Sequence, residues 1–169
     1  VTLQEYIDKM PAEQKYIYFA AGDSTDRLAK LPSAELVLDK GFDVLLLTED
    51  VDEFCLQILH SYPRKDAEGK DAAVEFKNVN SGDLGLESEE EKKAAEEQSE
   101  KAKQTLEFVK KTLGDKIKDV RLSDNLGSHP VSVVPDGGMT FEMEKYFKRM
   151  NPEAGMKADR ILELNAGHP

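Results

Sequence analysis

The chain has 169 residues, enough for one ordinary domain or two small ones. Apolar residues make up 39 % and charged residues 34 %, with a net charge of −11. That composition describes a soluble globular protein, and the negative balance argues against nucleic acid and anionic membrane surfaces as partners.

No apolar run approaches the roughly 20 residues needed to span a bilayer. No signal peptide opens the chain, and Val1 need not be a true N-terminus. The lone cysteine, Cys55, excludes an internal disulfide and a cysteine-based zinc cluster, and it points to a reducing compartment.

Thr2 to Met10 reads as a short helix with Leu3, Tyr6 and Met10 on one face, ended by Pro11. Lys15 to Ala20 is rich in aromatic and β-branched residues and predicts a strand. The Gly22-Asp23-Ser24 turn follows, and a short helix is expected from Ser24. Ser33 is expected to cap a second short helix carrying Leu36 and Val37, with Gly41 as its stop. Phe42 to Thr48 is almost continuously apolar and predicts a strand buried on both faces, as in a parallel sheet. Asp50 with Glu53 has the spacing of a capping box. The helix behind it is expected to reach about Tyr62, with Val51, Phe54, Cys55, Ile58 and Leu59 as its apolar side. The alternation of strands and helices predicts a small three-layer α/β unit.

Beyond Pro63 the chain turns polar, with a surface loop expected at Gly69 and a further strand over 74–79. Ser81 to Gly85 reads as a connector. A long helix is expected from Ser88, whose Ser-Glu-Glu-Glu start suits both a capping box and the helix dipole. It would reach Leu113, on the order of 39 Å, with Gly114 as its stop. Only its second half carries an apolar stripe, formed by Ala102, Leu106, Val109 and Leu113. The reading is therefore of two domains, 1–86 and 87–169, joined by this helix. Strands over 117–122, 130–134 and 160–164 complete a mixed α/β second portion.

One helix in that portion has an unusual apolar face. Thr140 is placed to cap it, and Met139, Met143, Tyr146, Phe147 and Met150 fall on one side. Glu142, Glu144, Lys145, Lys148 and Arg149 fall opposite. Phe141 lies off the stripe. Methionine and aromatic side chains adapt to many partners. The face is either ordinary core or a permissive protein-binding surface.

The residues offer little catalytic chemistry. No Gly-rich phosphate loop has a standard spacing. Gly22 to Ser24 could hold an anion at a strand end, or be a plain turn with a serine cap. Cys55 could be a nucleophile, but on the apolar side of a helix a buried, inert thiol is expected. His60, His129 and His168 have no ligand-like neighbours in sequence, and His60 suits a helix C-terminus. Asp50, Asp52 and Glu53 could suggest a metal site, but capping accounts for Asp50 and Glu53 more simply.

In this order and spacing the segments resemble the heat shock protein 90 chaperone family, in its bacterial form. Thr2 to Met10 is similar to the family's TLxEYxxRM, with Lys9 for the usual arginine. Tyr16-Ile17-Tyr18 with Gly22-Asp23-Ser24 resembles IYYxxGxS. Lys40 to Leu45 and Val51 to Leu56 resemble KGxEVL and the IDE-aromatic segment. Phe76 to Val79, then Glu89 to Lys93, resembles the approach to the C-terminal domain. Glu163-Leu164-Asn165 with His168-Pro169 is similar to ELNPxHP, with Ala166 for the first proline.

The resemblance implies the end of the middle domain, over 1–86, and the start of the C-terminal domain, over 87–169. The ATP site, its magnesium and the assisting arginine would then precede Val1, and the dimerisation helices would follow Pro169. This segment would be non-enzymatic and without a cofactor. It would provide client-binding surface in a cytoplasmic, homodimeric stress-response chaperone that binds unfolded proteins. The resemblance places client contacts at Glu53, Phe54 and Gln57, with Phe54 where some bacterial members have the bulkier tryptophan. It places a second set at Met139, Met143, Tyr146 and Phe147. The chaperone reading requires this second face to be largely exposed. A small Rossmann-like enzyme or anion-binding domain, using the Gly22–Ser24 turn, is the rival, and a structural spacer is a third reading.

Overall fold

The computed structural model of the chain describes residues 2–65, 70–81, 84–86 and 89–168. The expectations for Gly69, Gly82, Asp83 and Ser88 lie outside the described residues, as do the side chains of 89–92 and 94–96. The chain is α/β throughout and divides into two units, Val1–Val79 and Asn80–Pro169, each with its own mixed sheet.

In the first unit, α1 (Leu3–Lys9) starts on a capping box in which the Thr2 hydroxyl accepts from the Glu5 N–H and Glu5 reaches back to the Thr2 N–H. Strand β1 (Tyr16–Ala21) leads into the single turn α2 (Thr25–Leu28), then α3 (Pro32–Asp39) and β2 (Val44–Leu47). Helix α4 (Asp52–Leu59), β3 (Ser61–Lys65) and β4 (Asp71–Asn78) complete the unit. The sheet order is β2-β1-β4-β3, with β1 parallel to both neighbours and β3 antiparallel to β4.

The central strand is β1, and Ile17 to Ala20 are buried in succession, so both of its faces are covered. Tyr6, Ile7 and Met10 of the α1 segment pack on Ile17 and Val74. The Tyr6 hydroxyl donates to the Asp43 carbonyl at 2.6 Å and accepts from Gln14 Nε2 at 2.8 Å. Burial is the main reason its phenol lies above the ordinary value.

Three expectations for this unit are corrected. The strand within the Phe42 to Thr48 run is β2, an edge strand that is half-buried over Val44–Leu47 and has a neighbour on one side only. Ser33 lies inside α3, which starts with Pro32 at its first position and Leu31 as cap. Helix α4 stops at Leu59 rather than near Tyr62, since His60 takes a left-handed φ of 64° and Ser61 to Lys65 pair with β4.

The second unit begins with α5 (Glu89–Leu113), followed by β5 (Asp119–Leu122), β6 (Val131–Asp136), α6 (Phe141–Met150) and β7 (Asp159–Leu164). The sheet order is β5-β7-β6. Ala102, Leu106, Val109 and Leu113 are the half-buried stripe of α5, as their spacing predicts, while Phe108 points away and is exposed. Gly114 ends the helix at φ 55°, a conformation that favours glycine.

Charge stitches this sheet together. Lys118 lies between the cross-strand pair Asp136 and Asp159, at 2.7 and 2.8 Å, and these hydrogen bonds hold its ammonium well above the ordinary lysine value. Glu163 is buried and takes two hydrogen bonds from Arg121, at 3.0 and 2.6 Å. Asn165 Nδ2 donates to the Gly127 and His129 carbonyls, which fixes the turn before β6.

Candidate functional site

Helix α4 is mounted with its apolar side outward. Val51, Ile58 and Leu59 are 53 %, 87 % and 48 % exposed, and Cys55 is exposed beside them. The one buried residue of the helix is Glu53, at 3 %. Its Oε1 accepts a 2.7 Å hydrogen bond from Asn78 Nδ2 at the end of β4.

This overturns two expectations. The capping box expected of Asp50 and Glu53 is displaced, because the cap position is Val51, whose side chain makes no capping hydrogen bond. Cys55 is not a buried thiol, because the stripe that carries it faces solvent. Phe54 is half-buried and Gln57 exposed, so both border the open stripe while Glu53 lies beneath the helix.

Helix α6 is built differently. Thr140 caps it as its position predicts, its hydroxyl accepting from the Met143 N–H at 3.2 Å. Met143 is buried at 4 % exposure, whereas Met139, Tyr146 and Phe147 are half-buried and Met150 is exposed. The rings of Tyr146 and Phe147 meet edge to face at 5.8 Å. The stripe is therefore neither a closed core nor a fully open surface.

The charged side of α6 is not all open to solvent, because Glu144 is as buried as Met143. Its carboxylate accepts from Lys148 Nζ at 2.9 Å, from the Ala158 N–H at 2.9 Å and from Arg160 at 3.0 and 3.2 Å. Burial alone would raise its pKa, but the hydrogen bonds from Lys148, Ala158 and Arg160 outweigh it and hold the carboxyl down to about 2. Arg160 also lies over the Phe141 ring, 5.2 Å from its centre, which gives Phe141 a role in fixing the first turn.

The Gly22–Ser24 turn does not form an anion cradle. The Gly22 N–H donates to the Leu47 carbonyl at 3.0 Å, Ser24 makes no side-chain cap, and α2 has four residues. Among the described residues no group of three or more His, Cys, Asp or Glu gathers as a metal site, and no helix is long and apolar enough to cross a membrane.

The family model for the Hsp90 protein matches residues 1–169. The chain belongs to the Hsp90 family. It is 47 % identical over 168 residues to the chaperone protein HtpG of Bacillus subtilis, covering 99 % of this chain and 25 % of that protein. It is 46 % identical to HtpG of Bacillus velezensis and 45 % identical to HtpG of Clostridium botulinum strain 657, with the same coverage. The chain thus spans about a quarter of the length of the curated relatives it matches. Membership of this chaperone family removes the ground for the Rossmann-like rival.

The residues that the sequence did not single out are Glu144, Arg160 and the outward orientation of Val51, Ile58 and Leu59. Glu144 sits in a charged run, and its partner comes 16 residues later on β7. No local spacing connects them.

Proposed function

We propose that this chain is a client-binding part of an Hsp90-type chaperone, and that the open stripe of α4 and the half-covered stripe of α6 hold partly folded proteins. The outward mounting of α4 carries this reading. A helix that buries a glutamate and exposes Ile58 at 87 % gives up favourable apolar burial in its own unit. A partner can supply that burial, at about 25 cal/mol per Å² of apolar area.

On α4 the contact is made by Phe54 and Gln57 with the neighbouring Val51, Ile58 and Leu59, and Glu53 supports the helix from below. On α6 it is made by Met139, Tyr146 and Phe147, and Met143 underlies them. The ordering of client and side chains keeps binding weak, and the flexible methionines and flat rings keep it permissive. The net charge of −11 favours basic clients.

In the whole protein, ATP and magnesium would act in other domains and dimerisation would use other helices. The setting would be the cytoplasm, under folding stress. Light scattering from a heat-denaturing client tests the reading. The wild-type chain is expected to suppress aggregation, and Phe54→Ala and Phe147→Ser to suppress it less. Equal suppression by all three would instead favour a structural spacer.

A further inference from the structure

Helix α6 presents a difficulty if its apolar side chains are to be offered to clients. Side chains reserved for a partner cannot also dock the helix. Only two of its residues are buried, Met143 and Glu144. One firm hold on the unit is supplied by an arginine of β7. Arg160 binds both oxygens of the Glu144 carboxylate, at 3.0 and 3.2 Å. The same guanidinium donates to the Ala158 carbonyl at 2.7 Å and covers the Phe141 ring. The Ala158 N–H closes the arrangement by donating to Glu144 at 2.9 Å. Residues 141, 144, 158 and 160 are thereby locked to one another, and none of them belongs to the Met-aromatic stripe.

We infer that Glu144 and Arg160 are positioning residues for client binding, a paired clamp that fixes α6 so that Met139, Tyr146 and Phe147 remain available. The inference rests on the proposed client role of α6. A two-oxygen grip on a planar guanidinium fixes angle as well as distance. Apolar packing fixes angle less sharply, and without the clamp the helix would be freer to roll about its axis and turn its rings toward the sheet. The clamp thus does for α6 what packing of the stripe does for an ordinary amphipathic helix.

The test uses the 169-residue chain and a basic, permanently unfolded probe, reduced and carboxyamidomethylated lysozyme. Affinity is read by fluorescence anisotropy well below the melting temperature, and amide exchange is read on α6. Phe147→Ser reports on the surface itself. Glu144→Gln keeps the shape but loses the charge. Arg160→Lys keeps the charge but loses the fork and the ring contact, and it serves should Glu144→Gln fold poorly.

The clamp predicts that Glu144→Gln and Arg160→Lys each weaken probe binding by about 5-fold, the net scale of one ordinary hydrogen bond. The double variant is expected to be no weaker than the worse single one, since both remove the same device. Exchange of α6 should quicken in these variants and stay unchanged in Phe147→Ser. Weakening by Phe147→Ser with no effect of Glu144→Gln or Arg160→Lys overturns the clamp and leaves the client surface standing. No weakening by Phe147→Ser overturns the client role of α6, and with it the positioning role.

Discussion

Helix α4 rests on its unit through Glu53 and the half-buried Leu56 and turns Val51, Ile58 and Leu59 to solvent. Helix α6 buries Met143 beside Glu144 and keeps its rings half-covered. Both helices use a carboxylate where most helices use a leucine. They differ in the groups that meet that carboxylate. Glu144 gathers Lys148, Arg160 and the Ala158 N–H around it, whereas Glu53 is tied to Asn78. The difference teaches that an amphipathic pattern fixes which residues share a face but not which face docks. A buried, well-partnered acid can reverse the usual assignment when strand ends offer it donors.

The comparison is easiest to break at Glu144. Replacing it with alanine leaves Arg160 Nη2 and the Ala158 N–H without this acceptor. The expected loss is about 2 kcal/mol, below that of a fully enclosed pair because Arg160 and Lys148 reach solvent. Urea unfolding of wild type and variant measures it.

The same group sets an acid dependence. The folded-state pKa, about 2, lies below the ordinary 4.5. Its contribution is therefore complete above pH 4.5 and is lost as the pH falls from there toward 2. Glu144→Gln should lack that part of the acid slope, and an unchanged slope would contradict the assignment.

A smaller effect is expected at Glu53. Glu53→Ala removes the acceptor of Asn78 and should cost about 1.5 kcal/mol, the lower end for a hydrogen bond to a charged group. A loss at Glu53 larger than that at Glu144 would invert the comparison, and urea unfolding decides it.

Much of this was legible in the sequence. Thr140 announces the cap of α6, and the stripe from Ala102 to Leu113 announces the packed half of α5. The motif segments carry the family. Edge and centre were not legible, because β1 and β2 are both apolar runs and only pairing makes β1 the doubly covered strand. The strand Ser61–Lys65 was hidden by Pro63, which an edge strand tolerates. At the candidate site, the residues of the α4 and α6 stripes were readable from their spacing. Their exposure was not, since it depends on Glu53 meeting Asn78 and Glu144 meeting Arg160 over long sequence separations.

The central claim is that the outward stripe of α4 exists for a partner and not for the fold. Ile58→Lys tests it most directly. Stability should change by less than about 0.5 kcal/mol, as for an ordinary surface site. Binding of unfolded, carboxyamidomethylated lysozyme, measured on the same sample, should fall several-fold. A variant that melts early, or one that binds the probe as tightly as wild type, would contradict the account.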